Sequence, residues 1–370
     1  MQSISLAGLI AQQIQQSGPI SFHDFMDTVL YHPSLGYYTS GAGKIGADGD
    51  YYTSACLTSF FGCMIGRQLE EMWLLTGQEP FTIVEFGAGT GLLCHDILNY
   101  LQRNKAMYDQ LQYCIVEKSS AMREKEKAHL PGKVRWYNSI KDIGPVTGCV
   151  LSNELLDNFP VHRVVMKDEL MEVFVDFTDG FAEVLRPAPG AVVAYLNELQ
   201  VLLSQDHCAE IGLQATAWIE EVANTLEKGF VLTIDYGFPA FELYQPARSK
   251  GTLACYYRHQ VHDNPYINIG SQDITAHVNF SALCHWGAKH GLEYCSYTNQ
   301  SQFLHALGLV NYIRELETAG DSEASNSREK LCALQTFLLG MGHKLKVMIQ
   351  QKGMYQPQLS SMRFALAGMA

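Results

Sequence analysis

The sequence predicts an α/β fold built on a doubly wound, mostly parallel sheet. Three observations carry that expectation. From residue 81 onward short apolar runs alternate with helical patterns, the order that lays helices on both faces of a parallel sheet. The first of these runs ends in a turn with glycine at alternate positions, Gly87, Gly89 and Gly91, and a helical pattern starts at once. Composition supplies the third: 47% of the 370 residues are hydrophobic and only 17% charged, enough to bury a large core.

The elements follow in order. Leu6, Leu9, Ile10 and Ile14 mark a first helix, which Gly18-Pro19 breaks, and Ser21 caps a second through Phe22, Phe25, Met26 and Val29. The Gly- and Tyr-rich stretch that follows His32-Pro33 reads as an ordered loop with aromatic anchors, and Tyr37 to Thr53 suits a lid over a ligand. Another amphipathic helix spans Phe60 to Leu75. Strands are expected at Thr82–Phe86, Tyr113–Glu117, Val134–Tyr137, Cys149–Ser152 and Phe230–Asp235, with helices at Leu92–Leu101 and Ser119–His129. A β-meander at 162–166, 171–177 and 182–185 interrupts the alternation, and Ala191 to Glu227 reads as helical with a break near Gly212. Helix, strand and helix follow at Ser281–His290, Leu292–Tyr297 and Gln302–Leu316. Then come a mobile loop at Thr318–Ser327, a last helix and a strand at Lys344–Gln350. This divides the chain into an N-terminal helical and lid segment, 1–80, and a main domain, 81–370. The main domain has an insertion at about 160–228 and a second elaboration at about 238–280.

The formal net charge of −12 argues against nucleic acid or an anionic membrane as the main partner and is compatible with a basic peptide. No apolar stretch approaches the ~18 residues of a span, and neither an early positive charge nor an Arg-rich leader is present. The ten Cys contain no C-x-x-C and the thirteen His no H-E-x-x-H. A reduced, cytoplasmic, metal-free protein is the simplest account.

In an open parallel sheet, ligands lie beyond the carboxyl ends of the strands. The first strand ends in Glu85 and the turn Gly87-Ala88-Gly89-Thr90-Gly91, whose glycines allow positive φ and close approach to a ligand. A dinucleotide turn, G-x-G-x-x-G, would need Gly or Ala where this chain has Leu92. The Glu85-x-Gly-x-Gly-x-Gly form instead resembles the S-adenosylmethionine (SAM) loop of class I methyltransferases. Glu117, with Lys118 beside it, ends the second strand; its carboxylate either accepts two ribose hydroxyls or favours a helix N-terminus. Asn138 and Ser139 end the third, to meet an adenine edge or to cap a helix. The fourth ends in Asn153, Glu154 and Asp157, whose spacing would put the two carboxylates on one face of a helical turn. They read as a clamp for a cationic substrate or as an acidic helix start. Asp235 ends the fifth strand, in the same cleft or in a turn.

These residues resemble the MidA-like family of class I SAM-dependent methyltransferases, which includes the mitochondrial arginine methyltransferase of complex I assembly. The resemblance runs through G-P-I-S-F (18–22), Y-H-P-S-L-G-Y-Y (31–38), G-D-Y-Y-T-S (49–54), E-F-G-A-G-T-G (85–91), N-E-L-L-D-N-F-P-V (153–161), D-Y-G (235–237), Q-D-I-T-A-H-V-N-F (272–280) and G-M-G (340–342). It implies a Rossmann-like methyltransferase fold and SAM as cofactor. The cofactor would be held by Glu85, Gly87, Ala88, Gly89, Gly91, Glu117, Lys118, Asn138, Ser139, Asn153 and Thr53. It implies methylation of an arginine in a protein or peptide, with Glu154, Asp157 and Asp235 on the substrate. The chain departs from the family at Ala55-Cys56, where Pro-Glu is usual, and at Cys63, where Glu is usual. That keeps two other readings open: a SAM enzyme acting on a small molecule, and a non-catalytic assembly protein that retains the fold.

Overall fold

The computed structural model describes residues 5–40, 50, 54, 59–311, 314, 340 and 342–365. By internal packing the chain falls into two compact units. One comprises residues 52–155, 219–236 and 286–370; the other comprises 1–51, 156–218 and 237–285.

The first unit holds the predicted sheet. Its strands are β1 (Phe81–Phe86), β2 (Leu111–Val116), β3 (Val134–Tyr137), β4 (Val146–Asn153), β5 (Leu226–Phe238), β6 (Glu293–Asn299) and β7 (Leu345–Lys352). They lie in the order β3-β2-β1-β4-β5-β7-β6. The first five run parallel, and β7 enters antiparallel between β5 and β6. Strand order reverses between β1 and β4, which makes their carboxyl ends the expected ligand crevice.

Period-two alternation explains how the sheet is covered. Phe81 and Ile83 of β1 share a face with Tyr113 and Ile115 of β2, Cys149 and Leu151 of β4, Phe230, Leu232 and Ile234 of β5, and Val347 and Ile349 of β7. Against it pack the apolar stripes of the helices Ser59–Thr76 (Phe61, Ile65, Leu69, Met72), Leu92–Leu101 (Leu93, Ile97, Leu98, Leu101) and Gln300–Ala306 (Phe303, Leu304). The helix expected at Gln302–Leu316 is interrupted: Leu307 closes its first part, Gly308 turns at φ +94°, and helix resumes at residues 309–311. The expected loop Thr318–Ser327 lies outside the described residues.

In the second unit the helices Leu6–Ser17 and Phe22–Tyr31 start where Ser5 and Ser21 cap the amides of Gly8 and Asp24. The meander forms as expected, His162–Met166, Leu170–Phe177 and Phe181–Pro187. One expectation fails here. Within the stretch read as helical, Cys208–Ile211 is a strand, paired antiparallel with the meander from His162↔Ile211 to Val165↔Cys208. Only Gly190–Glu198 and Leu213–Thr225 are helices. Four residues carry too little period to register locally, and the pairing that stabilises them is some forty residues away in sequence. The core joins Ile10, Phe22, Phe25, Met26 and Leu30 of the helices to Val173 and Val175 of the meander and Ile274 of a three-stranded sheet.

Tyr37 and Tyr38 act as anchors in this unit. The Tyr37 hydroxyl donates to Asp50 and that of Tyr38 to Asp273, each at 2.8 Å. Most of the rest of the expected lid, including Thr53, lies outside the described residues.

Candidate functional site

The glycine turn has the geometry its spacing implied. Gly87, Gly89 and Gly91 all take positive φ, +62°, +59° and +75°, a region that L side chains enter at a cost. The turn is closed by Gly87 N–H donating to Val116 O at 3.0 Å and Gly91 N–H to Ala88 O at 2.9 Å. A β-carbon on Gly87 would lie 2.7 Å from Leu155 Cδ1, so the chain leaving β4 rests directly on the turn. Gly91 precedes the helix Leu92–Leu101, whose free amides face an anion or dipole placed there.

Glu85 stands beneath the turn. Its register partners are Ile115 and Leu151 and it points to the apolar face of the sheet, where the Tyr113 hydroxyl reaches it at 2.7 Å. Burial outweighs that bond and pushes Glu85 up to about 8. Tyr113 was not singled out from sequence, although a tyrosine inside a buried strand needs a hydroxyl partner.

At the end of β2, Glu117 Oε1 accepts the Ser119 amide at 2.7 Å. Burial raises its pKa, opposed by that amide and by Arg123. Arg123, another residue missed in the sequence, ties two strand ends together. Its guanidinium donates to the carbonyls of Glu117 and Tyr137, the latter at 2.8 Å, and to Asn138 Oδ1 at 2.6 Å. Asn138 and Lys118 stand at the solvent-facing rim of these strand ends. Ser139 caps the short helix Ile140–Asp142 in a capping box.

The ends of β4 and β5 carry a dense set of acceptors. Glu154 is half-buried; its Oε1 accepts the Ser54 amide at 2.9 Å and Asn153 Nδ2 at 3.2 Å. Asp235 is fully buried and its Oδ2 accepts the Leu155 amide at 3.1 Å. Burial pushes Glu154 up to about 7, helped by the charge of Asp235 and opposed by the Ser54 and Asn153 bonds. Asn153 Oδ1 is buried with no hydrogen-bond partner among the described residues. Gln300, which no local pattern marks, reaches the same group: its Nε2 donates to Ser54 Oγ at 3.0 Å.

The expected helical turn carrying both Glu154 and Asp157 does not form. Glu154 takes a left-handed conformation, φ +49°, and its amide donates to Ile234 O on β5 at 2.8 Å. The 3-10 helix starts only at Leu156. Asp157 is buried in the other unit, where its carbonyl accepts the Ala276 amide at 2.8 Å. The structure therefore brings Asn153, Glu154 and Asp235 together in one unit and accounts for Asp157 separately.

Among the described residues no helix is long and apolar enough to cross a membrane. None of them form a group of three or more His, Cys, Asp or Glu able to hold a metal ion.

The comparisons with known proteins agree with this architecture. Residues 64–298 match the family described as "Putative S-adenosyl-L-methionine-dependent methyltransferase". The chain is similar to a mitochondrial protein arginine methyltransferase NDUFAF7 homolog of Drosophila melanogaster, 28% identical over 79% of this chain and 72% of that protein. The mitochondrial protein arginine methyltransferase NDUFAF7 of Mus musculus is 28% identical over 73% of this chain and 67% of its own length. A crystal structure from Burkholderia thailandensis, bound to S-adenosyl-homocysteine, superposes with a TM-score of 0.86. It is 31% identical and covers 97% of this chain and 95% of that one.

Proposed function

Because this chain belongs to the family of SAM-dependent methyltransferases, we propose that it methylates an arginine guanidinium of a protein or peptide. The observation that carries the arginine reading is the acceptor cluster at the ends of β4 and β5. Glu154, Asp235 and Asn153 Oδ1 are acceptors within one unit, and the amides of Ser54, Asn153, Leu155 and Tyr236 donate to the two carboxylates. Such a set suits a multi-donor cation, and guanidinium has five N–H donors and a charge it keeps at every physiological pH.

The cofactor is SAM, which supplies a methyl group on a positively charged sulfur. The residues fit it: three glycines at positive φ leave alternate positions of the turn without β-carbons, and Glu117 presents a carboxylate at the neighbouring strand end. We assign Gly87, Ala88, Gly89, Gly91 and Glu117 to the cofactor, with Glu85 as the floor of the turn and Asn138 and Ser139 at its far edge. A guanidinium nitrogen has little lone-pair density while the cation is delocalised. Ionised Glu154 and Asp235 would bind that cation and turn one nitrogen toward the methyl; as the N–CH3 bond forms, the S–CH3 pair stays on sulfur and Glu154 accepts the proton the nitrogen loses. Asp157 is proposed as a further substrate carboxylate, and the cytoplasm as the compartment.

A small cationic amine would satisfy the same acceptors, and the test separates the two. The protein is incubated with tritiated SAM and a cell lysate, and the label is mapped by mass spectrometry. Label on protein arginine supports the proposal; label confined to small molecules overturns it.

A further inference from the structure

We propose that Gln300 is a positioning residue for Glu154, acting through Ser54. The inference rests on the reading of Glu154 as a substrate carboxylate, but the contact relay stands on its own geometry. Gln300 and Ser54 are fully buried. Gln300 Nε2 donates to Ser54 Oγ at 3.0 Å, and the Ser54 amide donates to Glu154 Oε1 at 2.9 Å. Three remote parts of the chain thus meet in one line.

The glutamine end of that line is fixed. Gln300 is the first residue of the helix Gln300–Ala306, and Asn299 caps the Gln302 amide at 2.8 Å. The Ser301 amide donates to Gly342 O at 2.8 Å, and Thr298 Oγ1 to Gln302 Oε1 at 2.7 Å. The Glu154 end needs such support, because its left-handed backbone does not by itself select one side-chain direction. A buried amide is also a costly way to fill space. Gln300 satisfies only one of its ends, and its Oε1 has no partner among the described residues. Packing alone would be served better by leucine or methionine.

The relay makes a measurable claim about Glu154. An amide donor favours the charged carboxylate, whereas burial and Asp235 favour the neutral acid. Loosening Ser54 weakens the donor and leaves the opposing influences in place, so Glu154 must titrate higher. The test uses the full chain with carboxyl-13C glutamate, followed by NMR across pH, with the Glu154 resonance identified by its loss in Glu154→Gln. Gln300→Leu and Ser54→Ala should each raise the Glu154 midpoint by roughly half a pH unit or more. Ser54→Ala also removes the hydroxyl's own bond to Glu154, so the double variant should raise the midpoint no further than Ser54→Ala alone. SAM affinity, by calorimetry, should stay within about threefold, a free-energy change below ~0.7 kcal/mol. An unchanged midpoint in folded Gln300→Leu, or additive shifts in the double variant, overturns the relay. If Gln300→Leu does not fold, Gln300→Met carries the same test. No methylated arginine with the wild-type protein would count against the proposed function and leave the relay to the titration.

Discussion

Glu154 and Asp235 stand at the carboxyl ends of neighbouring parallel strands, and the charge of Asp235 helps push Glu154 up to about 7. Their backbones are laced together: the Glu154 amide donates to Ile234 O at 2.8 Å and the Leu155 amide to Asp235 Oδ2 at 3.1 Å. Each carboxylate is held by amides, Glu154 by those of Ser54 and Asn153 and Asp235 by those of Leu155 and Tyr236. Two like charges held this way are relieved by a proton or by a cation.

That relation fixes the pH dependence of methyl transfer. Glu154 is neutral below about 7 and charged above it, so the rate at low substrate should climb as pH rises through that value. Bound guanidinium favours the charged form, so the midpoint should fall once substrate saturates. Rate profiles at limiting and saturating substrate check this, and a flat profile between pH 6 and 8 in both contradicts it.

Glu85 should govern part of the stability instead. Its folded pKa, about 8, lies above the ordinary 4.5. The stability linked to its neutral form is therefore full below about 4.5 and is lost as pH rises through about 8. Glu85→Gln keeps an acceptor for Tyr113 and removes the charge. It should be the more stable protein above pH 8, by up to a few kcal/mol, since each tenfold change in proton affinity is worth ~1.4 kcal/mol. Thermal unfolding of both proteins at pH 6 and 9 measures this; equal pH dependence would remove the assignment.

The glycine turn should tolerate no side chain at its centre. Gly89→Val places a β-branched residue at φ +59° and fills the space where a cofactor would lie, so SAM binding should disappear while the sheet remains folded. Calorimetry with circular dichroism as the folding control decides it. Wild-type affinity in folded Gly89→Val would contradict the turn's role.

Glu117→Gln should weaken SAM by about 1.5–3 kcal/mol, the scale of a charge-assisted hydrogen bond. That is roughly ten- to a hundredfold in Kd. The Ser119 contact survives with a glutamine oxygen, so folding should be unaffected. An unaltered Kd would move the ribose elsewhere.

Sequence marked the residues whose constraint is local. Gly87, Gly89 and Gly91 announce a backbone that needs positive φ, and Glu117 and Asp235 announce themselves by ending apolar runs. What it hid is long-range. Cys208–Ile211 is a strand only because the meander pairs with it, and Gln300 reaches Ser54 across 246 positions. The spacing of Glu154 and Asp157 suggested a shared helical face, yet the bond from the Glu154 amide to β5 turns the backbone left-handed before the helix begins. Asp157 accordingly has its own test. Asp157→Asn should slow transfer without changing SAM affinity, and an unchanged rate would withdraw it from the substrate.

The most direct measurement compares transfer and cofactor binding in Glu154→Gln. A carboxylate that holds guanidinium contributes on the order of 2–4 kcal/mol when its partner is desolvated, roughly thirty- to a thousandfold in transfer to an arginine peptide or lysate protein. SAM should bind Glu154→Gln with an affinity within a few-fold of wild type, because its proposed contacts lie on the turn after β1 and at the ends of β2 and β3. Undiminished arginine methylation in Glu154→Gln, or loss of SAM binding with the fold intact, would contradict the account.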